Sequence, residues 1–157
     1  SNDSPFREYE AIRLPFHIGT LRAGYSERDQ LSGLFLKLYQ HKRDQSIRGH
    51  VAFGELLEGP PGHAHGGTIA YVLDEAMGTA CWCAGHRCVA KTLKIDLLGM
   101  VPLEVDHEVW AGIMKADSEN VWAWAEVRNS NGKVCTRSEG EFHILNEAQM
   151  KRLLKIE

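Results

Sequence analysis

Two adjacent acidic residues, Asp74 and Glu75, lie in a stretch of the sequence that is otherwise mostly apolar. Residues 67–84 contain no proline and carry Ala, Leu, Met and aromatic side chains, which predicts an α-helix. On a helical wheel Asp74 falls at the edge of the apolar arc, whereas Glu75 falls on a small polar face. That polar face also contains Thr68 and Thr79. An unpaired carboxylate in an apolar setting has a raised pKa, which makes Asp74 a candidate acid-base or nucleophilic group, although a carboxylate hydrogen-bonded at a sheet surface fits equally well.

The segment before this helix, residues 59–67, contains two prolines and two histidines and ends in Gly66 and Gly67. The first N–H groups of a helix have no internal acceptor, so glycines there would let an oxyanion or a polarised carbonyl approach the backbone. A tight turn that needs glycine would leave the same pattern. Gly66 and Asp74 are roughly 12 Å apart along a helix, too far to act on one carbonyl. If both act, a second copy completes the site, and we expect a homodimer with two equivalent sites.

The run of residues 59–78 resembles the hotdog-fold acyl-CoA thioesterases, above all the phenylacetate-degradation type, and mammalian mitochondrial members have a very similar stretch. In that type a His-Gly-Gly motif is followed by six residues and an Asp, here His65, Gly66, Gly67 and Asp74. The resemblance implies hydrolysis of an acyl-CoA thioester at a dimer interface. It further implies that Asp74 is the general base or the nucleophile, and that the Gly66 backbone amide polarises the thioester carbonyl.

Further site residues follow from the same resemblance. Thr92, which stands ten residues before Pro102, would assist Asp74 from the next strand, and His65 would anchor the start of the helix. We expect substrate contacts from Gly67 and Glu75, and coenzyme A phosphate contacts from nearby cationic side chains. The cationic candidates are Arg87, Lys91, Lys94 and Arg137.

Two other functions of this fold stay open: a module that binds acyl-CoA without hydrolysing it, and a dehydratase that uses His65 with Asp74. A metal site is disfavoured, because Cys81 and Cys83 lie about 200° apart on the helix and no zinc-ligand spacing occurs. We therefore expect no metal and no organic cofactor, and coenzyme A enters only as part of the substrate.

The elements that must position these residues are two strands, one long helix and four further strands. The sequence patterns predict extended segments at 34–39, 47–56, 89–99, 104–116, 121–129 and 133–145, with short helices near 26–31 and 146–157. Successive strands joined by tight turns form an antiparallel sheet, so the fold class is α+β. With the resemblance, this becomes a hotdog fold, in which a sheet of five to six strands wraps around a long central helix.

The 157 residues fit one domain, which we place at 31–157 with a short C-terminal helix, after an irregular extension at 1–30 that contains a short helix. The net charge of −3 gives no electrostatic reason to expect a nucleic-acid partner. No apolar run approaches the ~18–20 residues of a membrane span. The four cysteines fit a reducing compartment, and we expect a cytoplasmic protein that forms a homodimer or a dimer of such dimers.

Overall fold

The structure of the chain is a computed structural model that describes residues 8–11 and 33–155. The strands are β1 (Tyr9–Ala11), β2 (Leu34–His41), β3 (Ile47–Phe53), β4 (Cys88–Leu97), β5 (His107–Ala116), β6 (Asn120–Arg128) and β7 (Val134–Ile144). The α-helices are α1 (Gly66–Cys83), between β3 and β4, and α2 (Glu147–Leu154), after β7. A short 3-10 helix, Glu55–Leu57, leads from β3 towards the turn that starts α1.

The seven strands form one antiparallel sheet in the order β1-β2-β3-β5-β6-β7-β4. Burial alternates residue by residue along β3 and β6, so one face of the sheet covers the core and the other does not. Helix α1 packs on the core face, and its chain crosses from β3 to the far edge of the sheet before β4 begins. This crossing leaves β4 at an edge, next to β7.

Helix α1 is buried over most of its circumference, which is why its sequence is apolar on nearly every side. The core around it contains large side chains from several strands, including Leu36, Phe53 and Phe142. The helical wheel separated the two acids, but in the opposite sense to their burial. Glu75 is only 5% exposed, whereas Asp74 is half-buried. The wheel measures the polarity of a face and cannot show that the small polar face of α1 is covered.

The predicted α+β architecture is confirmed, with the helix packed on the sheet as in the hotdog fold. The strand count differs, because β1 adds a seventh strand that pairs with β2 at residues predicted to be irregular. Three residues are too few to show a strand period. The helix predicted near 26–31 lies outside the described residues. The C-terminal helix is confirmed, and a capping box between Asn146 and Gln149 starts it.

None of the helices within the described residues is both long and apolar enough to cross a membrane.

Candidate active site

The loop before α1 is held in place by backbone hydrogen bonds. The His65 N–H donates to the Leu57 carbonyl at 2.8 Å, and the Ala64 N–H donates to the Val101 carbonyl at 2.8 Å. Gly59 must be glycine here, because a Cβ atom at this position would lie 2.7 Å from the Cα atom of His65. The loop therefore directs the start of α1 towards the segment that follows β4.

The first turn of α1 uses nearly all of its own N–H groups. His65 is the N-cap residue, and its Nδ1 atom accepts the Gly67 N–H at 2.9 Å. The His65 carbonyl accepts the N–H groups of Thr68 and Ile69 at 3.0 and 3.2 Å. In the described part of the chain no acceptor contacts the Gly66 N–H. This N–H lies at the positive end of the helix dipole and can donate to a ligand oxygen.

An apolar pocket with a volume of about 310 Å³ opens beside Gly66. It lies between the loop, the first turn of α1 and the segment after β4. Its walls are Pro60, Ala64, Gly66, Ile69, Leu97, Leu98, Gly99, Met100 and Val101. None of these residues has a polar side chain, so the only polar feature that we assign to the pocket is the backbone at Gly66. Sequence reasoning missed the wall formed by residues 97–101, although Leu97, Leu98 and Met100 form a visible apolar cluster.

Asp74 lies two turns further along α1, roughly 12 Å from Gly66 of the same chain, and does not line this pocket. Burial raises the pKa of the Asp74 carboxyl above its ordinary value of 3.8. A carboxylate with a raised pKa is a stronger base than an exposed one. Glu75 is buried within the protomer, makes a polar interaction there and also lines no part of the Gly66 pocket.

Thr92 is exposed on β4, where it pairs with Glu141 beside a β-bulge. Phe142 is in the core, so its neighbour Glu141 points away from α1, and the register places Thr92 on that same outer face. Within one protomer the structure therefore does not bring Thr92 and Asp74 together. The Thr92 contribution stays a prediction.

The four cationic candidates differ in their surroundings. Lys91 pairs with Glu141 at 3.5 Å, and Arg137 pairs with Glu126 at 3.4 Å. Lys94 is exposed on β4. Arg87 lines a second pocket, beside α2. The structure therefore distinguishes Arg87 from the other three as a candidate contact for a phosphate.

The helix cysteines are not activated nucleophiles. A hydrogen bond with Cys88 and burial raise the pKa of the Cys81 thiol, and burial raises the pKa of Cys83 to about 11. Thiols of this kind are protonated at neutral pH, whereas the nucleophilic form is the thiolate. Over residues 8–11 and 33–155, no three His, Cys, Asp or Glu side chains converge in a way that could hold a metal ion.

A family model described as the thioesterase superfamily matches residues 61–136 of this chain, from the loop before α1 to β7. Over these residues, just under half of the chain, the sequence is similar to the thioesterase superfamily. The match contains the His65–Gly67 motif, the whole of α1 and the apolar segment after β4. It therefore covers Asp74 and every residue of the Gly66 pocket except Pro60.

Individual proteins show the same similarity. The human acyl-coenzyme A thioesterase THEM5 is 37% identical over 51 residues, which are 32% of this chain and 21% of that protein. A crystallised thioesterase superfamily protein is 29% identical with a TM-score of 0.62, over 68% of this chain and 52% of its own. A Bacillus halodurans protein crystallised with CoA is 22% identical with a TM-score of 0.60, over 69% of this chain and 73% of its own. At this level of identity the similarity shows the fold alone. This chain thus spans about a fifth of the human relative and about half of the crystallised thioesterase.

The His65 cap allows a direct test of how this superfamily motif is built. His65→Ala removes the acceptor of the Gly67 N–H, and we expect it to lower the free energy of unfolding by about 1 kcal/mol. His65→Asn keeps a side-chain acceptor at the N-cap and is expected to retain most of the stability. Thermal or denaturant unfolding of both variants measures the difference. An equal loss in both would show that the imidazole stabilises the chain through some other contact.

Proposed function

We propose that this chain hydrolyses acyl-CoA thioesters at the Gly66 pocket. The observation that carries the proposal is the Gly66 N–H, which has no acceptor in the described part of the chain and borders a pocket with apolar side chains. Such a donor fits a thioester carbonyl, and such a pocket fits the acyl group beside it. The CoA bound to the Bacillus halodurans protein and the name of the human relative support coenzyme A as the leaving group.

The proposed hydrolysis uses the Gly66 N–H, the Asp74 carboxylate and one water molecule. The Gly66 N–H polarises the carbonyl and stabilises the negative charge that develops on its oxygen. In one route, Asp74 takes a proton from water, the hydroxide adds to the carbonyl carbon, and the tetrahedral intermediate expels coenzyme A thiolate, which takes up the proton held by Asp74. In the other, the Asp74 carboxylate attacks the carbonyl carbon and breaks the C–S bond, so that coenzyme A leaves as the thiolate, and water then hydrolyses the mixed anhydride to the free acid and the Asp74 carboxylate. Both routes give the free acid and coenzyme A without a metal.

The distance between Gly66 and Asp74 in one chain requires that a second copy supplies the Asp74 that acts at each Gly66. The edge strand β4 offers the surface for this. Only Cys88 among its ten residues is buried, and its outer edge has no strand partner among residues 8–11 and 33–155. Leu93 and Leu97 are exposed apolar side chains on β4, and Leu98 directly after the strand is another. A long, exposed and apolar edge strand is a template for pairing with another chain, here a second β4. Assembly of two such dimers stays a prediction.

The geometry favours hydrolysis over the dehydratase alternative. A dehydratase would need His65 and Asp74 as an acid-base pair on one substrate. The Nδ1 atom of His65 is instead occupied by the Gly67 N–H, so the imidazole acts as a helix cap. A protein that only binds acyl-CoA would share the pocket and the Gly66 donor. Thiol release separates that alternative from the hydrolase.

The experiment measures thiol release from short, long and aromatic acyl-CoAs, with wild type and with mixed dimers of two inactive variants. Gly66→Pro and Asp74→Asn are each expected to be nearly inactive alone. A dimer with one copy of each contains one site in which Gly66 and Asp74 are both intact. Random mixing should therefore restore about a quarter of the wild-type rate.

The outcomes separate the parts of the proposal. Thiol release by wild type with restored activity in the mixture supports hydrolysis at a shared site. Release by wild type without restoration would overturn the shared site built from Gly66 of one copy and Asp74 of the other. Binding of acyl-CoA with no thiol release from any substrate would overturn hydrolysis and leave the binding module.

A further inference from the structure

A second pocket lies between α2 and the start of β4, away from the Gly66 pocket of the same chain. Its volume is about 430 Å³, and it is lined by Arg87, Leu145, Glu147, Met150, Lys151 and Leu154. We call it the α2 pocket. Three of these six side chains are apolar, two are cationic and one is anionic. Hydrogen bonds hold the backbone around the pocket in place. The Leu145 N–H donates to the Arg87 carbonyl at 2.8 Å, and a capping box starts α2.

The α2 pocket carries positive charge that the protein itself leaves largely uncompensated. Over the described ranges, the Arg87 guanidinium makes no ion pair and no hydrogen bond. Lys151 pairs with Glu147 at 3.6 Å, but both side chains are more than half exposed, so the pair is weak. A guanidinium that forms no ion pair beside an apolar surface suits a ligand with a phosphate group and a flat apolar part.

Within one chain this pocket is too far from the Gly66 N–H to serve the same ligand easily. Strand β4 separates the two, and ten extended residues span roughly 33 Å. Pairing of two β4 strands about a two-fold axis near their middle changes this. Because the strands are antiparallel, the Leu97 end of one copy then lies beside the partner's Cys88. The partner's Arg87 therefore comes next to the Gly66 pocket.

We propose that the α2 pocket of one subunit binds the nucleotide end of the coenzyme A whose thioester is held at Gly66 of the other subunit. The proposal rests on the proposed function and on its β4-paired dimer. The partner's Arg87 and the partner's Lys151 contact phosphate oxygens, and the apolar surface of the pocket contacts the adenine base. Each substrate then touches both subunits at two places, through its thioester and through its nucleotide.

The test compares two thioesters of the same acyl group, one with coenzyme A and one with N-acetylcysteamine, which lacks the nucleotide and its phosphates. Arg87→Ala is expected to raise KM for the acyl-CoA about tenfold, since a hydrogen bond to a charged group is lost, with kcat nearly unchanged. Hydrolysis of the N-acetylcysteamine thioester should not change. Arg87→Lys keeps the charge and should recover part of the loss.

Arg43→Ala is the matched control. It makes the same change in charge at an exposed arginine in the β2–β3 turn, at the other side of the sheet, where Arg43 pairs with Glu8. An unchanged acyl-CoA KM in Arg87→Ala would overturn the proposal. An equal rise of KM for both thioesters would also overturn it, because that result indicates a structural effect.

A binding measurement distinguishes failure of this inference from failure of the proposed hydrolysis. If wild type hydrolyses neither thioester, calorimetric binding of coenzyme A to wild type and Arg87→Ala still decides the inference. Binding that weakens about tenfold in the variant supports it, and the absence of binding to wild type overturns it.

Discussion

Gly66→Pro is expected to lower kcat for thioester hydrolysis by about 10²- to 10³-fold relative to Gly66→Ala. Proline has no N–H, so it removes the donor that we assign to the thioester carbonyl. The position accepts proline well, because Gly66 is the first residue of α1 and proline is favoured there. The residue before proline must be extended, and His65 already has φ −66° and ψ 135°.

Gly66→Ala is the matched variant, because it adds the same Cβ atom but keeps the N–H. That Cβ would lie 3.1 Å from the Leu97 Cδ1 atom, the end of an exposed and flexible side chain, so a small shift relieves the contact. Steady-state kinetics of the two variants isolates the N–H, and thermal unfolding verifies that both fold. Equal activity in Gly66→Pro and Gly66→Ala would remove the Gly66 amide from the mechanism.

Asp74→Asn is expected to lower kcat by about 10²- to 10⁴-fold, the contribution typical of a general base or more for a nucleophile. The amide keeps the size of the side chain but neither accepts a proton nor attacks the carbonyl. In wild type the reactive form is the carboxylate, so the rate should fall as the pH is lowered through the raised pKa of Asp74. A pH profile of kcat/KM measures this fall, and its midpoint should lie above 3.8.

The same substitution should stabilise the protein. Burial penalises the charged form of Asp74, so the folded state prefers the protonated carboxyl more than the unfolded state does. The sign follows from linkage: the carboxyl has no penalty below pH 3.8, and the penalty grows as the pH rises from 3.8 to the raised pKa and is constant above it. Asp74→Asn should therefore unfold at a higher temperature than wild type at neutral pH, and the difference should vanish in acid.

Glu75→Gln provides the comparison for both readouts. Glu75 is buried and makes a polar interaction in the protomer, so its loss should lower stability and change kcat much less. Retention of activity in Asp74→Asn together with its loss in Glu75→Gln would transfer the catalytic role to the neighbouring acid.

The sequence by itself determined the elements and the family motif. The predicted helix at 67–84 is observed at Gly66–Cys83, and the helix predicted near 146–157 is observed at Glu147–Leu154. These features depend on side-chain period and on hydrogen bonds between residues a few positions apart, so a local pattern contains the information. The separation between Gly66 and Asp74 also follows from helix rise alone.

Only the tertiary structure decided which N–H group of the motif is left without an acceptor and what lies beside it. His65 occupies the Gly67 N–H and leaves that of Gly66, while the segment after β4, some thirty residues later in the chain, forms the pocket wall. The sheet order places β4 at an edge, and the packing around α1 buries Glu75 but leaves Asp74 only half-buried. These properties arise from contacts between residues far apart in the sequence, and a periodic pattern in one segment has no information about what packs against it.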